Sequence, residues 1–212
     1  MANAKDYKKE SKELYQPKTK PSLIEVPEMQ FAAVEGKGNP NDAGGEYQKA
    51  VELLYAVQYT IKMSKMGTKI PDGYFDYVVP PLEGFWWLEN NPENIYDSKS
   101  KFRWLSLMRL PEFVNETVFH WACAEAAQKK KLETAKAKFT RIHEGLCVQC
   151  MHIGSYDREP QTLKLMDTFI EENHLLRDLG ERKHHEIYLS NPQKTEASKL
   201  KTILRIPVKR KE

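Results

Sequence analysis

The sequence predicts an α+β fold: two tandem βαββ modules related by a pseudo-two-fold axis, antiparallel strands forming a ligand cleft, and an extra helix between the modules. Three observations predict it. The order strand, Gly/Pro-bearing loop, helix, strand, strand occurs twice, over 28–110 and again over 146–208. Both passes end alike, in Leu107-Met108-Arg109-Leu110-Pro111 and in Ile203-Leu204-Arg205-Ile206-Pro207. Each first strand also runs into a glycine-bearing loop that ends in a proline, Pro40 or Pro160. Internal repetition points to one structural unit used twice. Each unit carries helix cover for one sheet face only, so two units joined together leave a concave sheet between them.

The elements follow in order. Residues 1–27 are polar, with a short helix expected near Lys5–Tyr15 and then an extended arm broken by Pro17, Pro21 and Pro27. The first module, 28–111, opens with a strand over Met29–Glu35 and a turn-rich loop over Gly36–Asp42. A helix from Glu46 to about Lys65 has Tyr47, Ala50, Val51, Leu54, Val57 and Ile61 at spacings of three and four, one apolar stripe. Strands are expected at Tyr74–Val79, Leu82–Leu88 and Lys101–Leu110, with a break at Asn90-Asn91-Pro92. The inter-module segment, 112–145, carries a helix over Glu112–Lys131 and a lysine-rich solvated stretch. The second module, 146–208, has a strand over Leu146–Ile153, a helix over Thr162–Leu176 and strands at His184–Leu189 and Lys201–Val208.

Composition excludes several functions. The chain has 212 residues, 40% hydrophobic and 30% charged, which is ordinary globular content. Thirty-three basic against 30 acidic residues is too even a balance for a nucleic-acid binder, which needs a concentrated basic surface. No apolar run reaches the length of a membrane span. The first residues lack the apolar stretch of a secretory signal, so a cytoplasmic location is expected. Three cysteines, an odd number, fit free thiols in a reducing compartment. Cys147 and Cys150 form a C-x-x-C on a strand, where residues three apart face opposite ways, and no second pair completes a zinc site. No metal and no cofactor is implied.

The stretch that carries chemistry is His184-His185-Glu186-Ile187-Tyr188-Leu189. Strand alternation sets His185, Ile187 and Leu189 on one side and Glu186 and Tyr188 on the other. Glu in mid-strand is uncommon. Either this face is exposed, or it lines a pocket. With Ile187 and Leu189 taken as the helix-facing pair, Glu186 and Tyr188 face the cleft.

Duplicated βαββ modules, an Arg-Ile-Pro-Val ending and a central strand bearing Glu186 together resemble the GyrI-like effector-binding superfamily. More narrowly, Ser22-Leu23-Ile24-Glu25-Val26-Pro27, Asp76-Tyr77-Val78-Val79-Pro80-Pro81-Leu82-Glu83-Gly84 with Trp86-Trp87, and His143-Glu144-Gly145-Leu146 through Glu159-Pro160 resemble stand-alone bacterial members, some described as cyclopropanoid cyclopropyl hydrolases. The resemblance covers roughly residues 5–208. It implies binding of a hydrophobic or cationic aromatic small molecule, with Glu186 at the position where the regulator members meet cationic drugs. No helix-turn-helix precedes the module, so direct transcriptional control is not expected.

If the resemblance extends to hydrolysis, opening a strained cyclopropane on a dienone needs a base for water and a donor for the developing phenolate. Glu186 and Glu159 are the carboxylate candidates. Tyr188, Tyr156 and His152 are candidate donors, and Trp86, Trp87, Trp104 and Trp121 are candidate stacking platforms. Each has a structural alternative: Glu159 as a helix N-terminal acid, His152 as a hydrogen-bonded structural histidine, and the tryptophans as core. The same residues also suit a binding module without chemistry, in which Glu186 pairs with a lipophilic cation.

Overall fold

The computed structural model describes residues 4–88 and 102–211. The Asn90-Asn91-Pro92 break and Lys101 lie outside the described residues. Two one-turn helices, α1 (Tyr7–Glu10) and α2 (Lys12–Tyr15), come first, followed by β1 (Ser22–Lys37), α3 (Glu46–Met63), β2 (Leu82–Leu88) and β3 (Phe102–Arg109). The chain continues through α4 (Glu116–Lys130), β4 (Ala137–Ile153), α5 (Glu159–Glu172), β5 (Leu175–Arg177), β6 (His184–Tyr188) and β7 (Lys201–Arg210).

The strands run in the order β4-β1-β3-β2-β6-β7-β5, and β7 also pairs with β4. Every ladder is antiparallel. The β4–β7 pairing closes six strands into a barrel, with β5 paired to the end of β7, so the antiparallel sheet is closed on itself. Closure removes the free edges that an open sheet presents.

The reason lies in the two strands that the sequence reading cut short. β1 begins at Ser22 within the expected arm, and β4 begins at Ala137 within the expected solvated linker. They pair from Ser22↔Gln149 to Val34↔Ala137. Lys138 occupies an exposed position on β4, which hides the alternation. Tyr74–Val79 is not a strand. Tyr77 makes only an isolated bridge to Lys5, and its ring is buried against α3 with its hydroxyl donating to the Gln58 carbonyl at 3.2 Å. Asn115 starts α4 later than expected because its side chain accepts from the Val118 amide at 3.0 Å.

Alternation along the strands divides the core. Facing outward, Ala32, Val34, Trp86, Trp104 and Met108 pack under α3 and α4, while Val148, Cys150, Leu204 and Ile206 pack under α5. Facing inward, Phe31, Ala33, Phe85, Leu107, Cys147, Ile187 and Ile203 fill the barrel, joined by Tyr7, Leu14 and Tyr15 from the first two helices. Cys147 and Cys150 thus sit on opposite faces. Ile187 and Leu189 belong to the interior cluster and not to the helix-covered face, the reverse of the expected orientation. Burying Ile187 against the interior leaves Glu186 and Tyr188 under the helices.

Candidate functional site

The centre of the site is a hydrogen-bonded chain on the outer face of β2 and β6. Trp86 Nε1 donates to the Tyr188 hydroxyl at 2.8 Å, and that hydroxyl donates to Glu186 Oε2 at 2.8 Å. His184 Nε2 lies 3.3 Å from Glu186 Oε1. All four residues are available to one another because Trp86 pairs with His184, and Gly84 with Glu186, across the β2–β6 ladder. Gly84 is needed here. A Cβ at that position would stand 2.8 Å from Trp86 Nε1 and 3.5 Å from the Tyr188 hydroxyl, so only glycine admits the indole lying across it.

Two helices bring further groups. Tyr47, in the first turn of α3, sets its ring 5.4 Å from Trp86 and edge-on 5.2 Å from Trp104. Trp104 in turn packs over Gly36, its register partner on β1, where a Cβ would overlap the ring. From the other side, Tyr156 stands 6.0 Å from Tyr188, edge to face, in the turn that leads into α5. Glu159 is the first residue of α5 and is buried. Burial first, then Glu159 and Glu186, pushes the Tyr156 hydroxyl up to about 12. Burial and Glu186 raise Tyr188 well above the ordinary phenol range, and the same causes raise Tyr47. All three tyrosines therefore remain neutral donors at physiological pH.

The remaining predicted residues are placed elsewhere or already engaged. Trp87 points to the opposite face, beside Lys183 at 5.9 Å. Trp121 lies on α4, near Lys69 at 5.9 Å. His152 is tied down on both nitrogens. Nε2 lies 3.0 Å from the Ser155 carbonyl and Nδ1 lies 2.8 Å from Thr162 Oγ1. A carbonyl only accepts, so Nε2 carries the proton. His152 thereby clamps the turn holding Tyr156 to β4 and α5.

Three features carry weight that the sequence reading did not give them. Tyr47 was counted as one of a helix stripe. His184 stands in the sequence only as the first residue of the Glu186 strand. Inside the barrel, directly behind Glu186, lies a buried charge cluster. His185 Nε2 is 3.1 Å from Glu83, His185 Nδ1 is 3.0 Å from Glu144, and Arg205 Nη1 is 3.2 Å from Glu144. Arg205 also donates to Gln149 Oε1 at 3.2 Å and to the Leu14 carbonyl, and Phe85 stacks on the His185 ring at 4.2 Å. Burial works against the Glu144 charge, but His185 and Arg205 outweigh it and hold the carboxyl at about 2. Burial likewise opposes the His185 charge, yet its carboxylates lift it to about 9. Two acids and two cations, all buried, neutralise one another within the barrel. Among the described residues, no group of three or more His, Cys, Asp or Glu is arranged to hold a metal, and no helix is long and apolar enough to cross a membrane.

Comparison with known proteins agrees with this architecture. A family model described as GyrI-like small molecule binding domain matches residues 19–209. A structure described as a hydrolase from Listeria innocua shares 50% identity with TM-score 0.88, covering 97% of this chain and all of that one. An uncharacterised conserved protein from Listeria innocua shares 50% identity with TM-score 0.91, over 97% and 100%. A second structure described as a hydrolase, also from Listeria innocua, shares 48% identity with TM-score 0.89, over 98% and 100%. No curated protein matches the chain.

Proposed function

Because this chain belongs to the GyrI-like small-molecule-binding family, we propose that the Glu186 face takes a flat hydrophobic molecule and hydrolyses a strained cyclopropane borne on it, a detoxifying reaction. The observation that carries this reading is the Trp86–Tyr188–Glu186 chain, which sets a carboxylate among aromatic rings with a second buried acid, Glu159, nearby. The hydrolase descriptions of relatives at 50% and 48% identity support it.

In this reading Glu186 removes a proton from water as the water oxygen bonds to the cyclopropane methylene. The strained C–C bond breaks, and its electron pair passes through the dienone to the carbonyl oxygen. The proton taken from water finally reaches that oxygen, so the product is a phenol that has gained one water. Tyr188 orients Glu186 and spends its own hydrogen bond on doing so. Tyr156 stays protonated beside both acids, where it steadies the attacking water. Trp86 and Trp104 are the stacking surfaces, each ring pair adding about 0.5–1.5 kcal/mol beyond burial. A base under aromatic cover and two carboxylates are more than capture of a monocation needs.

We also read β1-α3-β2-β3 and β4-α5-β6-β7 as a duplicated βαββ unit, dividing the chain at 28–111 and 146–208 with 112–145 between. Incubating the protein with a spirocyclopropyl cyclohexadienone and following product mass tests the function: gain of one water per molecule, faster than in buffer, is expected. Binding without any acceleration would reject hydrolysis.

A further inference from the structure

We infer that the Tyr47 ring stands where a flat ligand's ring goes, and that Ser106 is the hydrogen-bond donor for the oxygen such a ligand carries. This rests on the reading of the Glu186 face as the ligand site.

Ser106 is fully buried, and although the Tyr47 hydroxyl approaches it, its hydroxyl makes no hydrogen bond of ordinary geometry among the described residues. An unpaired hydroxyl away from water costs free energy, and folded proteins retain few of them. Its position supplies a reason. The β-ladders align Val34, Ser106, Gly84 and Glu186 in one row across four strands. Ser106 therefore lies two strand spacings from Glu186, roughly 10 Å, on the same sheet face. Between them is Gly84, with the Trp86 indole laid across it. A donor hydroxyl and a carboxylate thus flank one aromatic floor.

Tyr47 occupies the space above that floor. Its ring meets both Trp86 and Trp104, and its hydroxyl is close enough to Ser106 and Tyr188 to be influenced by both, although Ser106 stays outside hydrogen-bond geometry. Tyr47 is itself a phenol. The protein's own side chain fills a slot shaped for a six-membered ring with an oxygen at one end. The residue is only partly buried, and it follows Gly44, whose φ of +68° marks a turn that suits glycine. When the ring turns aside, Ser106 is uncovered.

The ligand class follows. It is a flat ring bearing a carbonyl or phenolic oxygen at the end remote from Glu186. A dienone carbonyl accepts from Ser106 in the ground state and accepts more strongly as charge gathers on it during ring opening.

The test uses 2-naphthol and naphthalene as a matched pair, with affinity read from tryptophan fluorescence. Ser106→Ala is expected to weaken 2-naphthol about 5- to 10-fold, the loss of one hydrogen bond, while leaving naphthalene unchanged and the thermal midpoint unchanged or raised. Tyr47→Ala is expected to tighten naphthalene severalfold, whereas Tyr47→Phe, which keeps the ring, does not. Equal weakening of both probes by Ser106→Ala, or no effect on 2-naphthol, would overturn the donor assignment. Failure of Tyr47→Ala to tighten naphthalene would overturn the placeholder role. If neither probe binds the wild type, the ligand site itself falls. Retained ring opening in a Glu186 variant would instead reject hydrolysis alone and leave these outcomes intact.

Discussion

The Tyr188 hydroxyl donates a hydrogen bond to Glu186 Oε2 over 2.8 Å, two residues along the same strand, and accepts from Trp86 in turn. The tyrosine is therefore a positioning residue for the carboxylate. Tyr188→Phe is expected to lower turnover of a cyclopropane dienone by about 10- to 100-fold, within the range one oriented group contributes. The loss of a buried hydrogen bond, about 1 kcal/mol, should lower the thermal midpoint by only about 2–4 °C. Undiminished turnover in single-turnover assays would show that Glu186 needs no such restraint.

The interior cluster makes a pH prediction. The folded value for His185, about 9, lies above its unfolded value, so its contribution is complete below about 6.5 and is lost as pH rises through 9. Glu144 is held at about 2, so its contribution is complete above about 4.5 and is lost as pH falls through 2. Urea midpoints should therefore peak between about pH 4.5 and 6.5 and decline toward pH 10. His185→Gln, which leaves Glu83 without a cation and Glu144 with Arg205 alone, should cost about 3–5 kcal/mol. A midpoint unchanged from pH 6 to 10 would show that the imidazole is neutral in the fold.

Two glycines separate stability from binding. Gly36→Ala pushes against the Trp104 ring and should cost about 1–3 kcal/mol in chemical denaturation. Gly84→Ala displaces the Trp86 indole at the floor of the site, so quenching of tryptophan fluorescence by planar aromatic ligands should fall while secondary structure by circular dichroism persists. Unaltered quenching in Gly84→Ala would place the ligand elsewhere.

His152→Ala releases the turn that carries Tyr156. Amides of residues 155–158 should exchange hydrogen faster, and turnover should drop, with a modest fall in thermal midpoint. Exchange at the wild-type rate would mean that the Ser155 and Thr162 contacts do not hold the turn.

Alternation around Glu186 was legible from sequence, and it correctly set Glu186 and Tyr188 on one face. Which face that was could not be read. The apolar pair Ile187 and Leu189 suits a barrel interior as well as a helix-covered surface, and only closure by the long β1 and β4 decides. The starts of those strands are hidden because exposed Lys138 and the prolines near residue 21 mask their periodicity. His152 was recognised as unusual on an apolar strand, yet its partner Thr162 lies on another element. The pairing of Gly84 with Glu186 and Ser106 depends on register, which no local pattern reports. The buried charges that meet around His185 come from β2, β4 and β7 and converge only in three dimensions.

The central claim is that Glu186 performs chemistry at the Trp86–Tyr188 face. The most direct measurement is mass-spectrometric product analysis of a spirocyclopropyl cyclohexadienone incubated with wild type and with Glu186→Gln at matched folded concentration. Wild type should add one water at a rate at least about 100-fold above the variant, with similar thermal midpoints. Equal rates of ring opening in the two proteins would contradict the account.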